Sequence, residues 1–374
     1  MMENNVIKKR IGIVTYHRPI NYGAILQAYA LQKKIKELDV ECDIIDYRNQ
    51  TMENRHKKKK LMEAKSIRQF VRDVCLIKNH NLKYDKFRRF AEKNLTLSRP
   101  FFDFEELTKI ENSYDKFVVG SDQVWNYEIN KMDPVYFLCF VKEKSKKVSY
   151  AASFGIDYIP ENFRDKYIQY LKDFDEISVR EKQGSEIIRD LISKESEVVL
   201  DPTLLFSKEE WYEISEDSIV NDGKYILVYA FGGSKYIMDL AKNISKKTGY
   251  KIIWISNTYK KSFNIKYVKS AGPDEFLGLF KKAEYIITNS FHGTAFSINF
   301  NKQFFTELLP KHKGTNSRMI DMLNIFHLQD RIIDSVSSAD LNQIIDYSNI
   351  NEILSMEREK SNEFLKKICS SKNI

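Results

Sequence analysis

Apolar residues along the chain fall into short continuous runs. Polar or glycine-bearing turns separate them from longer stretches with helical spacing. Residues 283–303, AEYIITNSFHGTAFSINFNKQ, show the pattern most fully. Tyr285, Ile286 and Ile287 form an uncharged run that predicts a strand buried on both faces. Thr288, Asn289 and Ser290 are residue types that make turns and cap helices. Phe291, Ala295, Phe296, Ile298 and Phe300 then predict a mostly buried helix. His292 and Gly293 therefore stand at a strand's carboxyl end and a helix start. In open α/β sheets ligands bind at that place, and unpaired backbone N–H groups favour an anion there. A histidine so placed can carry a proton near neutral pH. The same position also suits a helix-capping or core histidine.

The alternation runs through the whole chain. Residues 11–15 predict a first strand, followed by a polar loop with His17, Arg18 and Asn21. Gly23 opens the helical stretch GAILQAYALQKKIKEL, and 41–46 predict the second strand. Strand, helix, strand implies a parallel sheet with right-handed crossovers. No G-x-G-x-x-G follows the first strand, so the dinucleotide fingerprint is absent. Residues 66–93 predict a helix whose apolar stripe is a packing face. Residues 116–119 predict a strand running into Gly120, Ser121 and Asp122, a tight turn or a site at a sheet edge. Further strands are expected at 147–153, 176–179 and 198–200, with a helix at 162–174. Arg180 ends the 176–179 strand. There it suits bidentate contact with a carboxylate or phosphate, or an ordinary surface pair with Glu181. Asp201 and Pro202 read as a stop.

After a connector at 207–219 a second series begins. Strands are predicted at 224–230, 251–255, 266–268, 303–306 and 331–333. A glycine turn at 231–234 leads into a helix at 235–247, and 275–282 predict another. A polar loop at 311–316 holds His312, Lys313 and Gly314. The helix at 317–326 carries Arg318 near its start. Residues 339–368 predict an amphipathic helical tail that packs on the second domain or crosses back to the first. A chain of 374 residues exceeds one ordinary core. The expected division is 1–206, 207–336 and a tail, 337–374.

Composition narrows the class. Apolar content of 43% and charged content of 30% fit a soluble globular protein. The longest strongly apolar run, 135–141, is far short of a bilayer span. Residues 1–10 lack the apolar core of a secretory signal. The four cysteines are scattered and form no C-x-x-C pair, which fits a reducing cytoplasm and argues against zinc or a disulfide framework. No metal-ligand cluster is evident. The net charge is +8, with a basic excess concentrated at 48–65. That stretch reads as a solvated, partly mobile loop, or as a patch for an anionic surface such as the inner membrane face or a diphosphate-linked lipid. Nucleic acid is not an expected partner, for no recognition-helix pattern or aromatic-interleaved basic strand is present.

The segments NYGAILQAYALQ, VVGSDQVWN, YAASFG, ISVRE, VVLDPTLLF and TNSFHGTAFSI occur in this order. As a set they resemble the polysaccharide pyruvyl transferase family, from about residue 11 to 333. The resemblance implies an α/β, GT-B-like fold of two Rossmann-like domains facing a cleft. It implies transfer of a pyruvyl group from phosphoenolpyruvate to two hydroxyls of one sugar, giving a cyclic ketal, without a cofactor. Arg180 then matches a donor-binding arginine and His292 the catalytic histidine. Several characterised members carry an arginine just before or near that histidine. Here Phe291 takes the place, and Arg318 is expected to supply the missing charge. Asn289, Ser290 and Gly293 would complete the donor side. Asp122 would be the acceptor's base or a turn residue, and Asn21, Gly23 and Ser121 would line the acceptor side by fold analogy. The acceptor would be a saccharide, free or lipid-linked. Two other readings share the architecture: a GT-B glycosyltransferase using a nucleotide sugar, and an inactive sugar-binding homologue.

Overall fold

The structure, a computed structural model, describes residues 8–49, 53, 57–59, 67–220, 223–232, 234–256, 264–310, 316–336 and 339–370. The uncharged runs become the central strands of two parallel sheets. In the first, β1 (Arg10–Val14), β2 (Glu41–Ile44), β3 (Lys116–Val119) and β4 (Lys147–Ser149) lie in the order β2-β1-β3-β4. The pair β5 (Ser178–Val179) and β6 (Glu197–Val198) extends it through bridges from Val148 to Glu176 and from Ala152 to Val179. The expected strand at 147–153 is cut short at Ser149. Ala151 turns to φ +47° and Gly155 to φ +61°. The Ser149 and Ser178 hydroxyls take up backbone groups the ladder would otherwise pair.

The second sheet has the order β12-β11-β10-β7-β8-β9, with every pair parallel. Its strands are β7 (Tyr225–Tyr229), β8 (Lys251–Ile255), β9 (Ile265–Val268), β10 (Tyr285–Thr288), β11 (Gln303–Glu307) and β12 (Ile332–Ile333). Strand order reverses between β1 and β3 in one sheet and between β7 and β10 in the other. These are the switch points outside which parallel sheets form binding crevices.

Helices that bear on the site among the described residues include α1 (Tyr22–Lys36), α2 (Ile67–Asn94), α3 (Lys182–Ile192), α4 (Pro273–Lys282), α5 (Phe291–Asn299), α6 (Ser317–Ile325) and α7 (Tyr347–Cys369). One apolar cluster runs through both halves. At its seam Tyr22 stacks on Phe276 with ring centroids 4.3 Å apart, and the Tyr22 hydroxyl donates to the Ala271 carbonyl. Lys86 of α2 pairs with Glu275 of α4 nearby. The tail crosses back to the first domain. Ser361 accepts from the Leu200 N–H, Phe364 packs near Tyr150, and Arg358 donates to the Leu204 and Phe206 carbonyls.

Most of the basic stretch 48–65 and the loop residues His312, Lys313 and Gly314 lie outside the described residues. Of the stretch, Arg48 pairs with Asp46, and Lys58 with Asp85 of α2. Among the described residues no helix is long and apolar enough to cross a membrane.

Phe364 is 2% exposed and sits where α7 meets the first domain. Phe364→Ala should lower unfolding stability by about 3 kcal/mol through lost burial and the cavity left behind. A denaturant midpoint equal to wild type would show that the tail adds no packing energy.

Candidate functional site

A cleft of about 320 Å³ opens between the carboxyl ends of the two sheets, with Tyr16, Asn21, Asp122, Phe291, His292 and Arg318 on its walls. The turn after β10 builds one side. Thr288 donates to the Tyr229 carbonyl and accepts from the Ser290 N–H. Ser290 caps α5 by accepting from the Gly293 N–H. Asn289 is bonded twice to the Phe231 backbone, which fixes the chain where it leaves β7. Gly293 lets α5 lie close against Thr288 and Tyr229.

The turn after β1 builds the other side. Asn21 caps α1 by accepting from the N–H groups of Gly23 and Ala24. A Cβ on Gly23 would lie 2.0 Å from His292 Nδ1, far inside contact distance. The starts of α1 and α5 therefore meet at His292, and this close approach is what requires glycine there. Ser121 donates its N–H to Gln27 of α1, which ties the turn after β3 to the same helix.

Asp201 organises the floor of the site. Its carboxylate is fully enclosed. One oxygen accepts from the Thr203 N–H and hydroxyl at 3.0 and 2.7 Å. The other accepts from Arg180 Nη1 at 2.8 Å and Ser121 Oγ at 3.1 Å. His292 Nε2 faces that second oxygen at 3.7 Å and is itself enclosed without a hydrogen-bond partner. Burial would raise the Asp201 pKa, but His292 and Arg180 outweigh it and hold the group well below the usual carboxylate range. In sequence Asp201 read only as a stop. Its signal was its place in VVLDPTLLF, after a strand of the same sheet that carries Arg180.

Arg180 was expected to grip an anion. The anions it meets here are the chain's own, Asp201 and, at 3.5 Å, Asp122. Its side chain is 1% exposed, and the Phe291 ring lies 4.4 Å from the guanidinium. The surface pair with Glu181 does not form. Glu181 turns inward and accepts from Ser153 Oγ and from the Phe154 and Gly155 N–H groups. Strand ends point their last side chains into the crevice, and three unpaired N–H and O–H donors there draw the carboxylate in. Asp122 adopts φ +71° and caps the Gln123 N–H, so it is a turn residue with a carboxylate at the cleft wall.

Arg318 comes from α6. Its guanidinium lies 5.8 Å from the Phe291 ring, so one aromatic ring neighbours two arginines. Its Nε is enclosed without a partner. Burial and the charge of Arg180 push its pKa down to about 10. Three helix starts, α1, α5 and α6, thus open on the cleft beside Arg318 and His292. Their N–H groups and dipoles make it favourable to an anion.

Residues 21–306 match the family model of polysaccharide pyruvyl transferase. The chain belongs to this family. No curated protein matches it. Among solved structures it is similar to UDP-GlcNAc 2-epimerase from Methanocaldococcus jannaschii, at 13% identity and TM-score 0.53 over 97% of this chain and 99% of that one. It is also similar to UDP-N-acetylglucosamine 2-epimerase from Rickettsia bellii, at 10% identity and TM-score 0.52 over 96% and 98%. At these identities the likeness is one of fold, the GT-B-like pairing of two Rossmann-like domains. In this pyruvyl transferase family member His292, Arg180 and Asp201 fall inside the matched span, and Arg318 falls beyond it.

Gly23→Ala should displace the His292 ring and lower turnover by about 10²-fold, the cost of a misplacement near 1 Å. Circular dichroism should be unchanged, and a wild-type rate would show that the ring position is not critical. Asp201 and Asp46 bear on acid stability. Burial would raise the Asp46 pKa too, but His17, Arg48 and Arg18 hold it below the ordinary range. Both groups have depressed folded values, so their stabilisation is present above the unfolded value of about 3.9 and is lost as pH falls below it. Asp201→Asn should give a shallower loss of the urea midpoint below about pH 4. Parallel curves for the two proteins would exclude this.

Proposed function

We propose that this protein transfers a pyruvyl group from phosphoenolpyruvate to two hydroxyls of one sugar, in a cell-surface polysaccharide or its lipid-linked precursor, to form a cyclic ketal. The observation that carries the reading is His292. It is an enclosed imidazole at the domain boundary, facing a buried carboxylate, inside the span that matches the family.

Phosphoenolpyruvate has a carboxylate and a phosphate, so its site needs two groups of donors. Arg318 and the start of α6 supply one, and the start of α5 with His292 the other. Protonation of the donor's methylene carbon gives the methyl group and positive character at the adjacent carbon. A sugar hydroxyl adds there. The C–O bond to phosphate then breaks, and the second hydroxyl closes the ketal. Of the two hydroxyl protons released, one balances the methyl group and the other leaves with phosphate. His292 is the proton carrier in this scheme, and the Asp201 carboxylate faces its Nε2 at 3.7 Å. Asp122 and Asn21, on the opposite wall, face the acceptor. Arg180 acts from behind Phe291 through Asp201. The scheme calls for no metal or organic cofactor. With a lipid-linked acceptor, the basic stretch 48–65 would meet an anionic membrane surface from the cytoplasmic side.

His292→Ala should reduce turnover by about 10²- to 10⁴-fold with the fold retained. Thermal stabilisation by phosphoenolpyruvate, measured beside a panel of nucleotide sugars, tests the donor. A ligand at about 100 times its dissociation constant stabilises by about 2.7 kcal/mol, enough to shift melting by several degrees. A shift with a nucleotide sugar alone would replace pyruvyl transfer with glycosyl transfer.

A further inference from the structure

The helix α3 begins just after Arg180 and lacks a cap of its own. Its N-cap residue, Glu181, makes no capping bond because its carboxylate is turned inward to Ser153, Phe154 and Gly155. The first N–H of the helix, at Lys182, donates instead to Asp321 Oδ2 at 2.8 Å. Asp321 belongs to α6, in the second domain. The cap of a first-domain helix is therefore supplied from across the cleft.

Asp321 stands three residues after Arg318 on α6, so both side chains lie on the face turned to the first domain. Docking this face brings Arg318 to the cleft wall beside Phe291. It also brings a second guanidinium close to Arg180, and Arg318 Nε is enclosed without a partner. Two contributions thus oppose each other. The Asp321 cap favours the docked arrangement, and the crowded, desolvated cation disfavours it. An anion in the cleft removes the second penalty.

We propose that Asp321 is a positioning residue for anion binding: its cross-domain cap on α3 holds Arg318 in the cleft, so that docking of α6 and binding of an anionic donor are coupled. This rests on reading the cleft as the donor's anion site. It reaches residues outside the span that matches the family.

The test is calorimetric binding of phosphoenolpyruvate and, separately, inorganic phosphate to the full chain. The proteins are wild type, Asp321→Ala, Asp321→Asn, Arg318→Ala and the Arg318→Ala/Asp321→Ala double variant. Loss of a cap should weaken affinity for each anion roughly fivefold in Asp321→Ala. Asparagine caps as well as aspartate, so Asp321→Asn should stay near wild type. In the Arg318→Ala background Asp321→Ala should have no further effect. Equal affinities of wild type and Asp321→Ala would overturn the proposal, as would additive losses in the double variant. Equal losses in the Ala and Asn variants would overturn it too, since they would assign the effect to charge rather than capping. If phosphate binds with the predicted pattern and phosphoenolpyruvate does not bind, the donor assignment fails and the coupling stands. If neither anion binds wild type, the coupling itself is refuted.

Discussion

A buried carboxylate cannot be left unpaired, and the site is arranged around that constraint at Asp201. Removing one partner from a buried ion pair costs several kcal/mol, because the remaining charge has no solvent to turn to. Asp201 is met on one oxygen by Thr203 and on the other by Arg180 and Ser121. Those groups come from the turn after β6, the end of β5 and the turn after β3. One charge thus orders three loops of the first domain. The position facing it from the second domain, His292 Nε2, stops at 3.7 Å. Every other partner of Asp201 is within hydrogen-bond distance. The imidazole alone has room to change its contacts during a reaction.

The same constraint reaches into the relation between the domains. Asn299, at the end of α5, donates to the Thr203 and Phe206 carbonyls, in the turn that begins at Asp201. Arg358 of α7 donates to Asn299 and to the Leu204 and Phe206 carbonyls. The helix that carries His292 is therefore fastened at its far end to the segment that carries Asp201. The tail, crossing from the second domain, holds that junction. His292 and Asp201 belong to different sheets, yet they are separated by one short, doubly bonded turn. A boundary drawn near residue 206 falls inside this junction, because a division by sheet does not follow the hydrogen bonds.

Much of the architecture was legible because parallel strands buried on both faces have to be uncharged runs, and β7 and β10 show this plainly. The strand-to-helix turn at Thr288–Ser290 was legible for the same kind of reason, since its residue types do the capping the structure shows. Asp201 was not, because Asp-Pro signals a turn wherever it occurs and carries no mark of what its carboxylate will face. The inward turn of Glu181 was hidden as well. Its partners Ser153, Phe154 and Gly155 lie almost thirty residues upstream, and only the pairing of β4 with the β5 segment brings them together. Gly23 could be read as a helix opener. That it makes room for a histidine from the other domain depends on two helix starts meeting, which local pattern does not encode.

Phe291 shows how charge is distributed once these contacts are fixed. Arg180 has two carboxylates against it, and its guanidinium is covered by the ring, so its charge is largely countered within the protein. Arg318 shares the ring and, among the described residues, forms no ion pair. An aromatic ring offers a cation about 0.5–2 kcal/mol, less than a desolvated guanidinium forfeits by leaving water. The less compensated charge is therefore the one at the cleft wall, and the directly ion-paired one lies behind it. An arginine at position 291 would have placed a further cation against Arg180. With phenylalanine there, the cation for a ligand comes from α6, on an element whose placement depends on a contact across the cleft.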